Sequence, residues 1–192
     1  MEVIRTRFRV MEAVMFGRKD LISMAIIVFW LALSAFGFWW FQYRNLATFS
    51  DLAVNFDGQQ LLDIKLASLE KSALVIHFVD QACPCSRFSI PHIETLMSEF
   101  NVNIEHYVWP DLPEHLMRVA ESMNVPATPA VAIWAANGEL AYFGPYSSGA
   151  VCGTGRDFVS TALQKVLKNE NPQWINHDVF GCYCTFPATR SL

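Results

Sequence analysis

The sequence predicts an α/β domain, a central mixed β-sheet flanked by helices, preceded by one transmembrane helix. Three observations predict it. Residues 21–43 form a run without a charged side chain, bounded by Asp20 and Arg44. After that run, short apolar stretches alternate with amphipathic ones in the order β-α-β-α-β-β-α, which makes a parallel pair and a closing hairpin. The stretch from Ala73 to Pro91 passes from a buried-strand composition, across Cys83-Pro84-Cys85, into helical spacing.

Residues 1–20 read as a cytoplasmic leader. As a helix, residues 21–43 reach roughly 30 Å or more, enough to span a bilayer. Trp39, Trp40 and Tyr43 crowd the distal end, where an aromatic belt belongs. A cleavable signal peptide is the alternative, with Ala32-Leu33-Ser34 as its site, but cutting there would leave Phe36 to Phe41, almost all aromatic, on a soluble domain. Arg5, Arg7, Arg9, Arg18 and Lys19 precede the span and only Arg44 closely follows it. The positive-inside rule then keeps the N-terminus in the cytoplasm and exports the rest, into the periplasm of a Gram-negative cell. The expected location is the inner membrane, single-pass.

Residues 44–57 form a connector with room for a first strand. Leu61, Leu62, Leu66 and Leu69 mark a helical stripe over residues 59–69, which opens a compact domain at residues 58–168. Residues 73–80 are a strand buried on both faces. Phe88, Ile93, Leu96 and Met97 share one face of the helix after it. Residues 101–108 are the second strand, ending at Trp109-Pro110. Pro113 opens a helix that runs to Met123 and closes before Pro126 and Pro129. Residues 130–134 and 139–143 form a hairpin about Asn137-Gly138. A glycine- and serine-rich loop over residues 144–155 holds Cys152, and Phe158, Leu163, Val166 and Leu167 give residues 156–168 a buried helical face. The tail, 169–192, has no period but contains Cys182 and Cys184.

Charge and cysteine content narrow the function. Residues 46–192 carry 8 Lys and Arg against 15 Asp and Glu, a net −7 with histidine neutral. No basic track for nucleic acid is present, and none is expected as a partner. Five cysteines in an exported domain imply oxidising surroundings and leave an odd thiol. Cys83, where a buried strand gives way to a helix, sits at the positive end of the helix dipole, which favours the nucleophilic thiolate. Arg87 pushes the same way.

Four spacings in order resemble a thioredoxin-fold domain over most of residues 58–168. Cys83 follows the buried strand. Pro91 lies eight residues beyond Cys83. Thr128-Pro129 precedes the next strand, and Asn137-Gly138 joins the last two. The resemblance implies that Pro129 is cis, that it faces the active site, and that Thr128 and Pro129 dock an extended substrate strand. It also implies that the loop holding Cys152 lies beside the active-site cysteine. The chain departs from the family's C-x-x-C: with Cys83 as nucleophile, Ser86 takes the resolving position and Cys85 falls one residue short. The other register, with Cys85 as second cysteine and Ala82 as first, loses the Pro91 spacing. His77, six residues before Cys83, stands where thioredoxins carry a buried acid, so it is either a proton shuttle titrating near neutral pH or a neutral core histidine.

The expected activity is that of a thiol–disulfide oxidoreductase or isomerase on exported proteins. Its partners would be protein thiols or disulfides and a redox partner protein, and it needs no cofactor. The catalytic candidates are Cys83, Cys85, Cys152, His77 and Arg87. A C-x-C bridge closes a smaller ring than C-x-x-C and is expected to be strained and oxidising. Cys152 either resolves Cys83 or Cys85 or bridges to the tail. Cys182 and Cys184 bridge each other or Cys152, or act as a relay. The rival class is a copper or zinc carrier using the cysteines with His77 or His92 as soft ligands.

Overall fold

In the computed structural model, residues 17–52, 56–148 and 155–187 are described, without the side chains of residues 42–45. The chain divides at Arg44 into two units. The first contains α1, Arg18–Asn45, whose segment Arg18–Phe41 is long and apolar enough to cross a membrane. Most of its large apolar side chains, Phe29, Trp30 and Phe38 among them, are more than half exposed.

The second unit is built on a five-stranded mixed sheet in the order β3-β2-β5-β6-β7. Strand β2 (Ala73–Phe78) is parallel to β3 (Ile104–Trp109), with α2 (Pro84–Glu99) as the crossover. On its other side β2 pairs antiparallel with β5 (Ala130–Ala135), which pairs antiparallel with β6 (Leu140–Gly144). All six residues of β2 are buried, His77 among them, as an otherwise apolar composition requires of a strand covered on both faces.

The two faces take different partners. Leu74, Ile76, Phe78, Ala132 and Trp134 pack with Leu116 and Ala120 of α3 (Glu114–Ser122) and with Met123 just beyond its end. Ala73, Val75, Val131 and Ile133 pack with Ile93 and Leu96 of α2 and with Phe158, Ala162, Leu163 and Val166 of α4 (Phe158–Leu167). Asp157 caps α4, accepting from the Ser160 backbone N–H at 2.9 Å. This is the expected central mixed sheet flanked by helices, and the domain has the thioredoxin-like fold. Among the landmarks, Thr128-Pro129 is cis, Pro91 lies inside α2, and Asn137-Gly138 makes the turn between β5 and β6. Trp109-Pro110 is a second cis peptide, which the spacing does not announce.

Two elements differ from the sequence reading. Residues 59–69 do not continue as an α-helix. A 3-10 turn, Gly58–Asp63, capped by Asp57, gives way at Ile64 to extended chain. That chain lies along the β5–β6 hairpin, with Leu66 N bonded to Gly138 O, Leu69 N to Ala136 O, and the Trp134 indole to Ile64 O. Gly138 has a positive φ of 79°, and a β-carbon there would collide with the Leu66 carbonyl. Of the leucine stripe, Leu61 is buried from the 3-10 turn, and Leu66 and Leu69 are half-buried from the extended segment.

The tail, which carries no period, packs into the domain. Strand β7 (Trp174–Ile175) joins the sheet parallel to β6. Strand β8 (Phe180–Cys182) pairs antiparallel with β1 (Leu46–Thr48), and β9 (Cys184–Thr185) pairs with β4 (Ala127–Thr128).

Candidate functional site

The site begins where β2 ends. Asp80 turns the chain: its carboxylate accepts from Ala82 N at 2.9 Å and its carbonyl from Cys83 N at 3.0 Å. Cys83 is then the extended N-cap of α2, and Pro84 occupies the first turn, where a missing N–H costs nothing. Arg87 is exposed, and its Nε donates to Gln81 O at 3.0 Å, so its recorded bond steadies the turn.

Opposite the turn stands the cis Thr128-Pro129 loop. The Thr128 hydroxyl donates to Phe78 O at 3.0 Å and accepts from Ser86 Oγ at 2.8 Å and from Asp80 N at 3.2 Å. Ser86 and Thr128 are both fully buried. Ser86, the residue at the resolving position of a C-x-x-C register, therefore ties the helix start to the cis-proline loop. The Thr128 carbonyl lies 3.9 Å from Cys83 Sγ.

Four cysteines meet here, in two bridges. Cys83 is joined to Cys184 and Cys85 to Cys182. Neither C-x-C pair closes on itself, which corrects the expected Cys83–Cys85 bridge and the expected bridge within the tail. The reason is strand geometry. Successive side chains of an extended segment point to opposite sides, so Cys182 and Cys184 face one way and Tyr183 the other. Tyr183 packs edge-on against Phe49, 5.3 Å between ring centroids, in the core under β5. The β4–β9 register sets Cys184 opposite Thr128, beside the cis-proline, and the β1–β8 register sets Cys182 opposite Leu46. Two C-x-C segments facing each other in this way pair first with last. The repeated spacing was the signal in the sequence that points to it.

The Sγ atoms of Cys83, Cys85 and Cys184 all lie within 4.8 Å of one another. Cys83, Cys85 and Cys182 are 2%, 1% and 7% exposed, whereas Cys184 keeps part of its surface in solvent. Cys152 lies outside the described residues. The other four cysteines are paired among themselves.

The histidines are employed elsewhere. His77 is fully buried on the α2–α4 face of the sheet. His106 Nε2 faces Phe100 O at 2.9 Å and so carries its proton there, leaving Nδ1 to accept from His77 Nε2 at 3.1 Å. His77 Nδ1 then accepts from the Tyr146 hydroxyl at 2.8 Å. Burial, reinforced by His106 and His92, pushes the His77 pKa down to about 3. Its titration is thus moved far from the neutral range expected of a shuttle, and the neutral core reading describes it. His92 Nε2 lies 3.3 Å from Asp157 Oδ2. Among the described residues, the cluster able to hold a metal contains Cys83, Cys85 and Cys184 and neither histidine.

Residues 52–186 match a sequence family described as a domain of unknown function, DUF6436. The chain belongs to that family. The matched span takes in both C-x-C pairs, so in this DUF6436 member the tail cysteines fall inside the shared domain. No curated protein matches the chain. Among solved structures, an uncharacterised conserved protein from Geobacillus kaustophilus is similar at 17% identity, over 64% of this chain and 80% of that one, with a TM-score of 0.44. A hypothetical protein from Sinorhizobium meliloti is similar at 16%, over 64% and 82%, with a TM-score of 0.40. The solution structure of a thioredoxin-like protein in its oxidised form is similar at 13%, over 66% and 90%, with a TM-score of 0.36.

Proposed function

We propose that this protein is a membrane-tethered thiol–disulfide oxidoreductase or isomerase whose working unit is a pair of adjacent disulfides. In this reading α1 is an uncleaved inner-membrane anchor with its N-terminus in the cytoplasm, and the domain works outside it on the thiols and disulfides of exported proteins, with a redox partner protein to restore it. The observation that carries the reading is the meeting of four cysteines at the N-terminus of α2, beside cis Thr128-Pro129, with three sulfurs within 4.8 Å of one another. A thiolate released from one bridge has the other bridge within reach, and exchange needs nothing else. Cys184 serves Cys83, and Cys182 serves Cys85, in the roles expected of Cys85 or Cys152. Arg87 acts by holding the turn at Cys83, and the edge that Thr128-Pro129 would offer a substrate strand is taken by the chain's own β9, with Thr128 opposite Cys184. Two bridges can accept four electrons, twice the capacity of a single C-x-x-C pair.

The test is equilibration of the full chain, in detergent, across glutathione redox buffers, with acid quenching and mass-spectrometric mapping of bridges. Opening of the Cys83 bridge in the folded protein, at a potential above about −300 mV, where structural disulfides lie below, is the expected result. Bridges that open only with unfolding would refute the proposal.

A second reading follows from the same three sulfurs. Reduced, Cys83, Cys85 and Cys184 offer soft thiolate ligands to copper(I) or zinc. Stoichiometric metal on the reduced protein, lost in Cys85→Ala with the fold intact, would favour carriage over exchange.

A further inference from the structure

We infer that Cys184, on the tail, is the sulfur through which outside thiols enter, and that electrons then pass inward to the Cys85–Cys182 bridge; this rests on the exchange activity proposed above. Three features of the site point the same way. Of the four bridged cysteines, Cys184 alone keeps appreciable surface in solvent, while Cys83 is 2% exposed. Cys83 Sγ is enclosed, with the Thr128 carbonyl 3.9 Å from it, so an outside thiolate meets protein rather than solvent there. The leaving groups also differ. Displacement at Cys184 expels Cys83, whose negative charge is received by the N-terminus of α2, whereas displacement at Cys83 expels a thiolate from the two-residue strand β9.

In the first step an outside thiolate attacks Cys184 Sγ. A mixed disulfide forms on Cys184, the Cys83–Cys184 bond breaks, and its electron pair leaves on Cys83; the proton of the incoming thiol has gone to solvent. In the second step the Cys83 thiolate attacks Cys85 Sγ, forming Cys83–Cys85, and the electron pair of the Cys85–Cys182 bond leaves on Cys182. This second step is an isomerisation, so it needs no further oxidant or reductant. The Cys-Pro-Cys bridge expected from the sequence is then a transient state of the site, and the tail acts as a built-in mixed-disulfide partner.

The experiment uses the oxidised full chain in detergent, treated briefly with less than one equivalent of glutathione, acid-quenched, alkylated and mapped. Glutathione is expected on Cys184 in excess over Cys83 on the order of ten-fold, with the matching alkylation on Cys182 and a Cys83–Cys85 bridge, whereas with the second step blocked the matching alkylation falls on Cys83. The same treatment of C85A/C182A, which blocks the second step, is expected to give the same preference. Glutathione found mainly on Cys83, or on Cys85 or Cys182, overturns the inference and leaves the exchange activity standing. No adduct on the folded protein overturns both.

Discussion

Because the two bridges join the same pair of short segments, their contributions to stability are coupled, and the coupling has a calculable size. In the chain-entropy description, a crosslink closing n residues removes about 2.1 + 1.5R ln n cal/mol/K from the unfolded chain. The bridges span 101 and 97 residues, so whichever closes first contributes about 4.7 kcal/mol at 25 °C. The other then closes only the ring made of residues 83–85 and 182–184 across the first, about six residues, and contributes about 2.2 kcal/mol. Removing either bridge as an alanine pair, C83A/C184A or C85A/C182A, is therefore expected to cost about 2 kcal/mol, and removing both about 7 kcal/mol, well over twice the single cost. The volume lost with each sulfur adds to every variant and cancels in the double-mutant cycle. For a domain near 150 residues the expected falls in Tm are about 4–8 °C for either pair and about 14–28 °C for all four. Thermal melts of the full chain in detergent, followed by near-ultraviolet circular dichroism, measure them. Single-pair losses near 5 kcal/mol that simply add would refute the coupled-ring argument.

Other expectations follow from individual contacts. Thr128→Val removes the hydroxyl that joins Phe78 O, Ser86 and Asp80 N, and is expected to cost about 2–4 kcal/mol in urea unfolding, with Thr128→Ser retaining most of it. Gly138→Ala places a β-carbon against the Leu66 carbonyl at positive φ, and is expected to cost upwards of about 1–2 kcal/mol from the backbone conformation alone; a neutral result would contradict the packing of residues 64–69. His77 is held neutral down to about pH 3, against 6.5 in the unfolded chain, so between those values the unfolded state binds the extra proton. Stability from this group is complete above pH 6.5 and is lost as pH falls, by about 2 kcal/mol between pH 7 and 5. His77→Gln is expected to flatten the profile in that window, which unfolding midpoints at the two pH values would show.

The parts of the fold legible in the sequence are those with a local cause. Strand β2 is an apolar run broken only by His77, α2 carries a helical stripe in Ile93 and Leu96, with Phe88 left exposed, behind a proline at its first turn, and Asn137-Gly138 encodes its own turn. These are period and turn-chemistry signals, which act over a few residues. The stripe at Leu61–Leu69 misled because Leu61 is buried from a 3-10 turn while Leu66 and Leu69 lie on an extended chain along the Asn-Gly hairpin, a contact more than 65 residues away in sequence. The tail was opaque for a related reason: strands of two or three residues have no period to read. The placement of Cys83 at the start of α2 and of cis Thr128-Pro129 opposite it was legible, whereas the partners of Cys83 and Cys85 were not, since they come from β8 and β9. His77 was placed correctly as buried and polar, but its partners, Tyr146 and His106, arrive from separate elements.

The long spans of the bridges also bear on how the protein is made. Cys83 and Cys85 are synthesised about 100 residues before Cys184 and Cys182, an interval of roughly 5–20 s at ordinary rates of chain elongation. Through that interval the earlier pair has as cysteine company only itself and, later, Cys152. The sheet strands β2, β3, β5 and β6 are all complete before the partners emerge, so the scaffold can form ahead of its chemistry. Maturation of the site is timed by the arrival of the last strand, and a nascent chain stalled before Phe180 displays the Cys-Pro-Cys pair without the partners that later cover it.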